Sequence, residues 1–318
     1  MNHLVYAFDK KNEIWRYLVV FILAMIISGT IGAIPLAILV VYGLLKTGGL
    51  SAPPANIMDL SVYGIDKNLS LAALLLSFAI ALVGFVMLLK AFHSRTLQGT
   101  INGTSKIRWS RIINGFILWG VFMIISLVFT LVTDPSSLVL QFKWSTFIPL
   151  FFISLILIPL QTSFEEITFR GYLMQGFATN TKSRIWALVI TSLIFGLFHS
   201  FNPEVKEYGF WATMPSYIGF GVIFGLITLL DDGVELAIGL HTANNFFASI
   251  LISSPHSALV TYAVFNTDKV NPYIDMLTLF IFGILAILIF SKKYKWDWSI
   301  LGKKVEQPIE EIGNIQEI

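Results

Sequence analysis

The sequence predicts an all-α, polytopic membrane protein of about eight transmembrane helices. Composition is the first observation: of 318 residues, 56% are hydrophobic and only 13% charged, where soluble chains carry roughly 25% charged residues. Mean hydropathy is +0.77. The second is that most of the charges fall between apolar runs about 20 residues long, the length a membrane helix needs. Disorder, collagen, coiled coil and a disulfide-stapled module are excluded. With no cysteine there is no thiol nucleophile and no thiolate metal site. A net charge of +2 leaves no large basic surface, so no nucleic acid partner is expected.

The runs follow in order. The first covers about Val19 to Leu45, long enough to tilt. Asp9 and Glu13 precede it, which marks a retained anchor rather than a cleaved signal. The second covers Leu71–Leu89, the third Ile113–Val132, and the fourth starts at Ser145 and passes Gln161. The fifth is Ile185–Phe201, the sixth Phe210–Leu230, the seventh Val234–Ile252 and the eighth Ile274–Phe290. Gly221 and Gly225, four apart in the sixth, offer a close helix contact. Thr47–Ser70, with Pro53, Pro54 and Asp59, reads as an external loop. Residues 305–318 read as a polar, fraying tail with Glu306, Glu310, Glu311 and Glu317. The remainder is one integral membrane domain.

Lys and Arg set the orientation. With the N-terminus inside, the inner segments hold 16 of the 21: Lys10, Lys11, Arg16, Lys90, Arg95, Lys106, Arg108, Arg111, Arg170, Lys182, Arg184, Lys292, Lys293, Lys295, Lys303 and Lys304. The outer segments hold Lys46, Lys67, Lys143, Lys206 and Lys269. This bias predicts eight spans in the cell membrane with both termini cytoplasmic, the bilayer itself being a partner.

Three places put polar residues where an ionisable group costs roughly 2.5–3.5 kcal/mol. In Glu165-Glu166-Ile-Thr-Phe-Arg170, Glu166 and Arg170 are one helical turn apart and can pair. Glu165 lies about 100° round the helix and is free to act as a base. In Phe195-Gly-Leu-Phe-His199, His199 sits inside the fifth run with Phe195 one turn back. In His241-Thr-Ala-Asn244-Asn245, His241 and Asn245 share a face and Asn244 points away. The other histidines, His3, His93 and His256, fall in loops or termini. A rise of about 1.5 Å per residue puts Glu165, His199, His241 and Asn245 at depths that one cavity between the helices of the second half can hold, open to the cytoplasm.

A carboxylate, two imidazoles and a carboxamide in a secluded wet cavity suit hydrolysis. Glu165 takes a proton from water while a histidine and Asn245 hold the water or an oxyanion. The alternative is a zinc ion on Glu165, His199 and His241 with a position left for water; these residues leave both open. There is no phosphate-cradling glycine loop, no His-Glu-x-x-His pair and no Gly-x-Ser-Gly run.

Glu165-Glu166-x-x-x-Arg170, Phe195-x-x-x-His199 and His241-x-x-x-Asn245, in that order, resemble the CPBP family. These are the CAAX-protease and bacteriocin-processing (Abi) intramembrane proteases, which include the type II CAAX prenyl endopeptidases. The likeness covers about 145–252. It implies an endopeptidase acting on a membrane-associated peptide or protein, with a prenylated protein, a lipidated peptide, a bacteriocin leader and a signal-peptide remnant all open as substrates. Glu165 resembles the family's water-activating glutamate. Glu166 and Arg170 resemble its supporting ion pair, with His199 catalytic beside Phe195, and His241 and Asn245 on the oxyanion or water-positioning side. The resemblance leaves metallo- and glutamate-dependent mechanisms open. The rival readings are a proton-coupled transporter, which predicts Glu/His counterparts in the first half, and a non-catalytic immunity or scaffold protein of the same family.

Overall fold

Each apolar run read from the sequence is helical in the computed structural model, which describes residues 3–9, 11–48, 56 and 59–307. Lys10, Pro53, Pro54, Glu310, Glu311 and Glu317 lie outside the described residues. The first run is two helices, α1 (Ile14–Gly29) and α2 (Ile34–Lys46), rather than one. The break falls where Gly32 presses on the backbone of Ser77 and where Pro35 opens α2, a position that lacks a helical N–H partner in any case. Next come α3 (Lys67–His93), capped by Asp66, the short α4 (Leu97–Asn102), and α5 (Trp109–Thr133). Helix α6 (Trp144–Glu166) runs through a π-helical turn, Ile167–Leu173, into α7 (Met174–Thr181). Then follow α8 (Arg184–Phe198), capped by Ser183, α9 (Pro203–Tyr208), α10 (Phe210–Asp231), α11 (Glu235–Leu251) and α12 (Pro272–Tyr294).

Six of the helical stretches are long and apolar enough to cross a membrane, α1–α2 and α6–α7 each counting as one. Helices α8 and α11, with 15 and 17 residues, fall short of that length. The chain is a multi-pass, all-α membrane protein.

Hydrogen bonds sort the connections into two ends. At one end His3 N donates to Asp232, Arg95 to the carbonyl of Ala7, and Val305 N to the carbonyl of Lys182. At the other Asn56 donates to the carbonyl of Pro255, Asn68 to that of Thr146, and Gln141 N to that of Val264. That second end carries three two-residue strands, β1 (Val139–Leu140), β2 (Ile252–Ser253) and β3 (Phe265–Asn266), with β3 in the middle. Nearly all of the basic residues read as inner lie at the first end. Exposed tryptophans ring both: Trp15, Trp109 and Trp186 at the basic end, Trp144 and Trp211 at the other. Such amphipathic rings sit at headgroup level.

Several expectations need correction. Arg170, counted above with the inner segments, is 1% exposed within the π turn. His93 closes α3 fully buried, its Nε2 2.5 Å from the Tyr172 hydroxyl, and His3 is buried too. Both are held because the chain entering and leaving α1–α3 packs onto the α6–α7 helix. The tail is docked at its start: Val305 is buried and Lys304 bridges Ser183, because Arg184 binds the carbonyls of Lys303 and Lys304.

Two packed regions flank the centre. One joins α1, α3, the π turn and α8 through Phe85, Phe164, Phe169, Tyr172 and Phe195. The other joins α5, α10, α11 and α12 through Trp119, Phe224, Leu240 and Phe290. Glycines bring the helices close: a Cβ on Gly221 would lie 2.8 Å from Ser192 Cα on α8, and one on Gly115 2.6 Å from Leu236 O on α11. Without those side chains α8 meets α10, and α5 meets α11, nearly backbone to backbone.

Candidate active site

The site lies where these two regions meet, on the end of α6, the π turn, the end of α8 and the middle of α11. Pro159 inside α6 removes a backbone donor about two turns before the π turn. The π turn directly follows Glu166, the kind of irregularity that recurs at functional sites.

Glu166 and Arg170 pair at 3.0 Å, both essentially unexposed. Glu166 Oε1 also accepts from His241 Nδ1 at 2.8 Å. A carboxylate only accepts, so His241 carries its proton on Nδ1 and presents a lone pair at Nε2. That lone pair accepts from Asn245 Nδ2 at 3.2 Å, the partner one turn along α11. Arg170 donates further to the Phe220 carbonyl and lies 3.9 Å above the Phe195 ring. Pairing and hydrogen bonds of this kind offset the cost of burying the Glu166 and Arg170 charges.

Glu165 is treated differently. It is 8% exposed and has no cation at salt-bridge distance; His241 Nε2 is 3.7 Å from its Oε2. Oε1 accepts from Gln161 Nε2 at 2.7 Å, and Oε2 is buried with no hydrogen-bond partner.

His199 is brought to the same place from the end of α8. The helix stops at Phe198, three residues before the expected end of the fifth run, so His199 caps it rather than sitting inside. The sequence Asn202-Pro203 opens α9 and prevents α8 from continuing. His199 Nδ1 faces the Phe195 carbonyl at 2.8 Å, so it must donate, and Nε2 is the free nitrogen. Its ring is held between Phe195 and Tyr217, each with its centroid 4.5 Å away. Phe195 thus touches Arg170, His199 and, at 6.3 Å between centroids, His241.

Every sequence-predicted site residue, from Glu165 and Glu166 to Asn245, is therefore in one neighbourhood. Asn244 turns to Trp119 on α5, as its position predicts, but its amide also donates to Asn245. Sequence reasoning missed Gln161, Tyr217 and Trp119. Gln161 was findable, since it stands four residues before Glu165 on the same helix face. Tyr217 and Trp119 meet the site only through tertiary packing.

The zinc alternative is not supported by side-chain placement. Among the described residues no three His, Asp or Glu side chains form a metal-binding group, and the Asn245 amide faces the His241 nitrogen a metal would use. The cavity of about 600 Å³ at the basic end is lined by Arg111, Arg184, Asp231, Tyr294 and Trp296 and by no site residue. Glu165 and His241 are buried whereas His199 and Asn245 are half-buried, so the site is open on the side of the latter pair.

Comparison with known proteins bears out the resemblance read from the motifs. Residues 144–247 match the family model for type II CAAX prenyl endopeptidases, Rce1-like. Over 298 residues the chain is 28% identical to the Uncharacterized protein YyaK of Bacillus subtilis (strain 168), covering 93% of this chain and 96% of that one. No solved structure matches.

Proposed function

We propose that the chain is a CAAX-type intramembrane endopeptidase that cleaves a membrane-associated peptide or protein with water activated by Glu165. The carrying observation is the buried Glu165 carboxylate, one oxygen held and the other open, inside the stretch that matches a protease family. A general base needs an accepting oxygen within reach of the water it deprotonates.

Glu165 Oε2 takes a proton from water as the oxygen attacks the scissile carbonyl carbon. His199 Nε2, its ring fixed by Phe195 and Tyr217, accepts the other water hydrogen and orients the attack. The oxyanion that forms needs a preorganised donor. Asn245 supplies it by exchanging its longer, 3.2 Å bond to His241 Nε2. Glu166 and Arg170 keep His241 in one tautomer and orientation. The Glu165 proton then passes to the departing amine, and the carboxylate is restored. No step passes through a metal.

The substrate is a membrane-associated chain, a lipidated or prenylated one included, because the site stands among helices long and apolar enough to cross a membrane. The basic end faces the cytoplasm, with both termini there, in the cell membrane. The test incubates purified protein with a library of membrane-tethered peptides, comparing wild type with Glu165→Gln. Cleavage by wild type and none by the variant is expected; equal cleavage rejects the mechanism. Activity that survives chelation, in protein shown to be metal-free, is expected as well.

A further inference from the structure

The site's carboxamides form a chain that runs across three helices. Trp119 Nε1 on α5 donates to Asn244 Oδ1 at 3.1 Å, and Asn244 Nδ2 donates to Asn245 Oδ1 at 3.1 Å. Asn245 Nδ2 donates to Gln161 Oε1 on α6 at 3.0 Å, and Gln161 Nε2 donates to Glu165 Oε1 at 2.7 Å. Every donor points the same way. The two ends force this: an indole N–H can only donate and a carboxylate can only accept. Each carboxamide between them therefore has one allowed orientation. Neighbouring bonds polarise one another along such a row, most of all in a low-dielectric interior. Gln161 is 7% and Trp119 1% exposed.

We propose that this one-way chain positions the base, with Trp119 and Gln161 as positioning residues that select Glu165 Oε2 as the reacting oxygen. It rests on the peptidase reading above and deepens it. Gln161 holds Oε1, and Oε2 is left without a partner. Asn244 and Asn245, adjacent in sequence and about 100° apart on α11, carry the row from α5 to α6. Asn245 gives one amide hydrogen to Gln161 and the other to His241, so the same row fixes the His241 lone pair as acceptor. Trp119 anchors the start because its indole is wedged among Phe122, Phe224 and Phe282.

A serial chain has a signature that independent packing contacts lack. Once it is cut near Glu165, cutting it further upstream changes nothing at Glu165. Two readouts test this in the full-length protein. The first is the infrared carboxylate stretch of Glu165, isolated as the difference between each variant and its Glu165→Gln counterpart. Gln161→Met is expected to shift the band, Trp119→Phe to shift it less, and Trp119→Phe to add nothing when Gln161 is already Met. A band unmoved in Gln161→Met, or a Trp119→Phe shift that persists without Gln161, overturns the proposal. The second readout is cleavage of the membrane-tethered peptides. Gln161→Met is expected to lower kcat about a hundredfold with KM within about twofold and an unchanged unfolding midpoint. Gln161→Leu, which likewise removes the donor to Glu165 and places no second carboxyl beside it, is expected to fall as far. Full kcat in both variants overturns the proposal. A wild type that cleaves nothing rejects the peptidase reading alone, because the infrared bands still decide on the chain.

Discussion

Two buried polar clusters hold this molecule together, and they are finished to different degrees. At the basic end Arg108 reaches Glu235 at 2.5 Å and Asp231 at 3.3 Å, and Arg111 reaches Asp231 at 3.1 Å. Asn102 and the Arg108 backbone N–H also donate to Glu235, and Trp296 donates to Asp231. All four carboxylate oxygens have donors. At the centre, Glu165 Oε2 and Glu166 Oε2 have none. Closing every valence makes a tie between α5, α10 and α11. Leaving one oxygen of Glu165 open, with no cation beside it, keeps a base ready for a proton. The incomplete cluster is the one fit for chemistry.

The contrast is broken most severely by Glu165→Gln. Cleavage is expected to fall about 10³-fold, within the range usual for a general base, while the unfolding midpoint stays or rises because no ion pair is lost. A clear loss of stability in that variant would make Glu165 a structural tie like Glu235. Next comes Arg170→Met, which leaves Glu166 charged and unpaired in the interior and is expected to cost about 3–5 kcal/mol, read by chemical unfolding. Arg108→Met does the same to a pair whose cation is 31% exposed, so a smaller loss of about 2–3 kcal/mol is expected. Its activity per folded molecule should match wild type, which sharpens the division of labour.

The smallest effect concerns Glu204, outside the spans on α9. Burial pushes its carboxyl above the usual carboxylate range, while the Ala258 N–H it accepts from at 2.7 Å pulls the other way. A carboxyl whose folded value is raised costs the fold stability as pH rises through that value. Glu204→Gln is therefore expected to unfold at a higher temperature than wild type at neutral pH. That advantage should fade as pH falls below the ordinary carboxylate range. Midpoints measured across pH check the sign.

Sequence made the spans, the Glu166–Arg170 pair and the His241–Asn245 pair legible, because hydropathy and the 3.6-residue turn fix them locally. Gln161 obeys the same spacing, yet a neutral amide costs little in an apolar run and raises no alarm. The end of α8 at Phe198 is set by Asn202-Pro203, four residues on, and the hydropathy run passes straight over it. Trp119 reads as one more apolar residue in a span. Its role follows from Gly115 and Gly239 letting α5 approach α11, a pairing of residues more than a hundred positions apart. The unsatisfied Glu165 oxygen is likewise a property of what neighbouring helices fail to supply.

Helix α8, with 15 residues, is about 22 Å long, against a hydrocarbon layer of about 30 Å. A span that falls short thins the lipid beside it or draws polar material inward. His199 stands at the end of this shortfall. Hydrolysis consumes one water per turnover, and that molecule has the least oil to cross at the side of the protein where its acceptor waits.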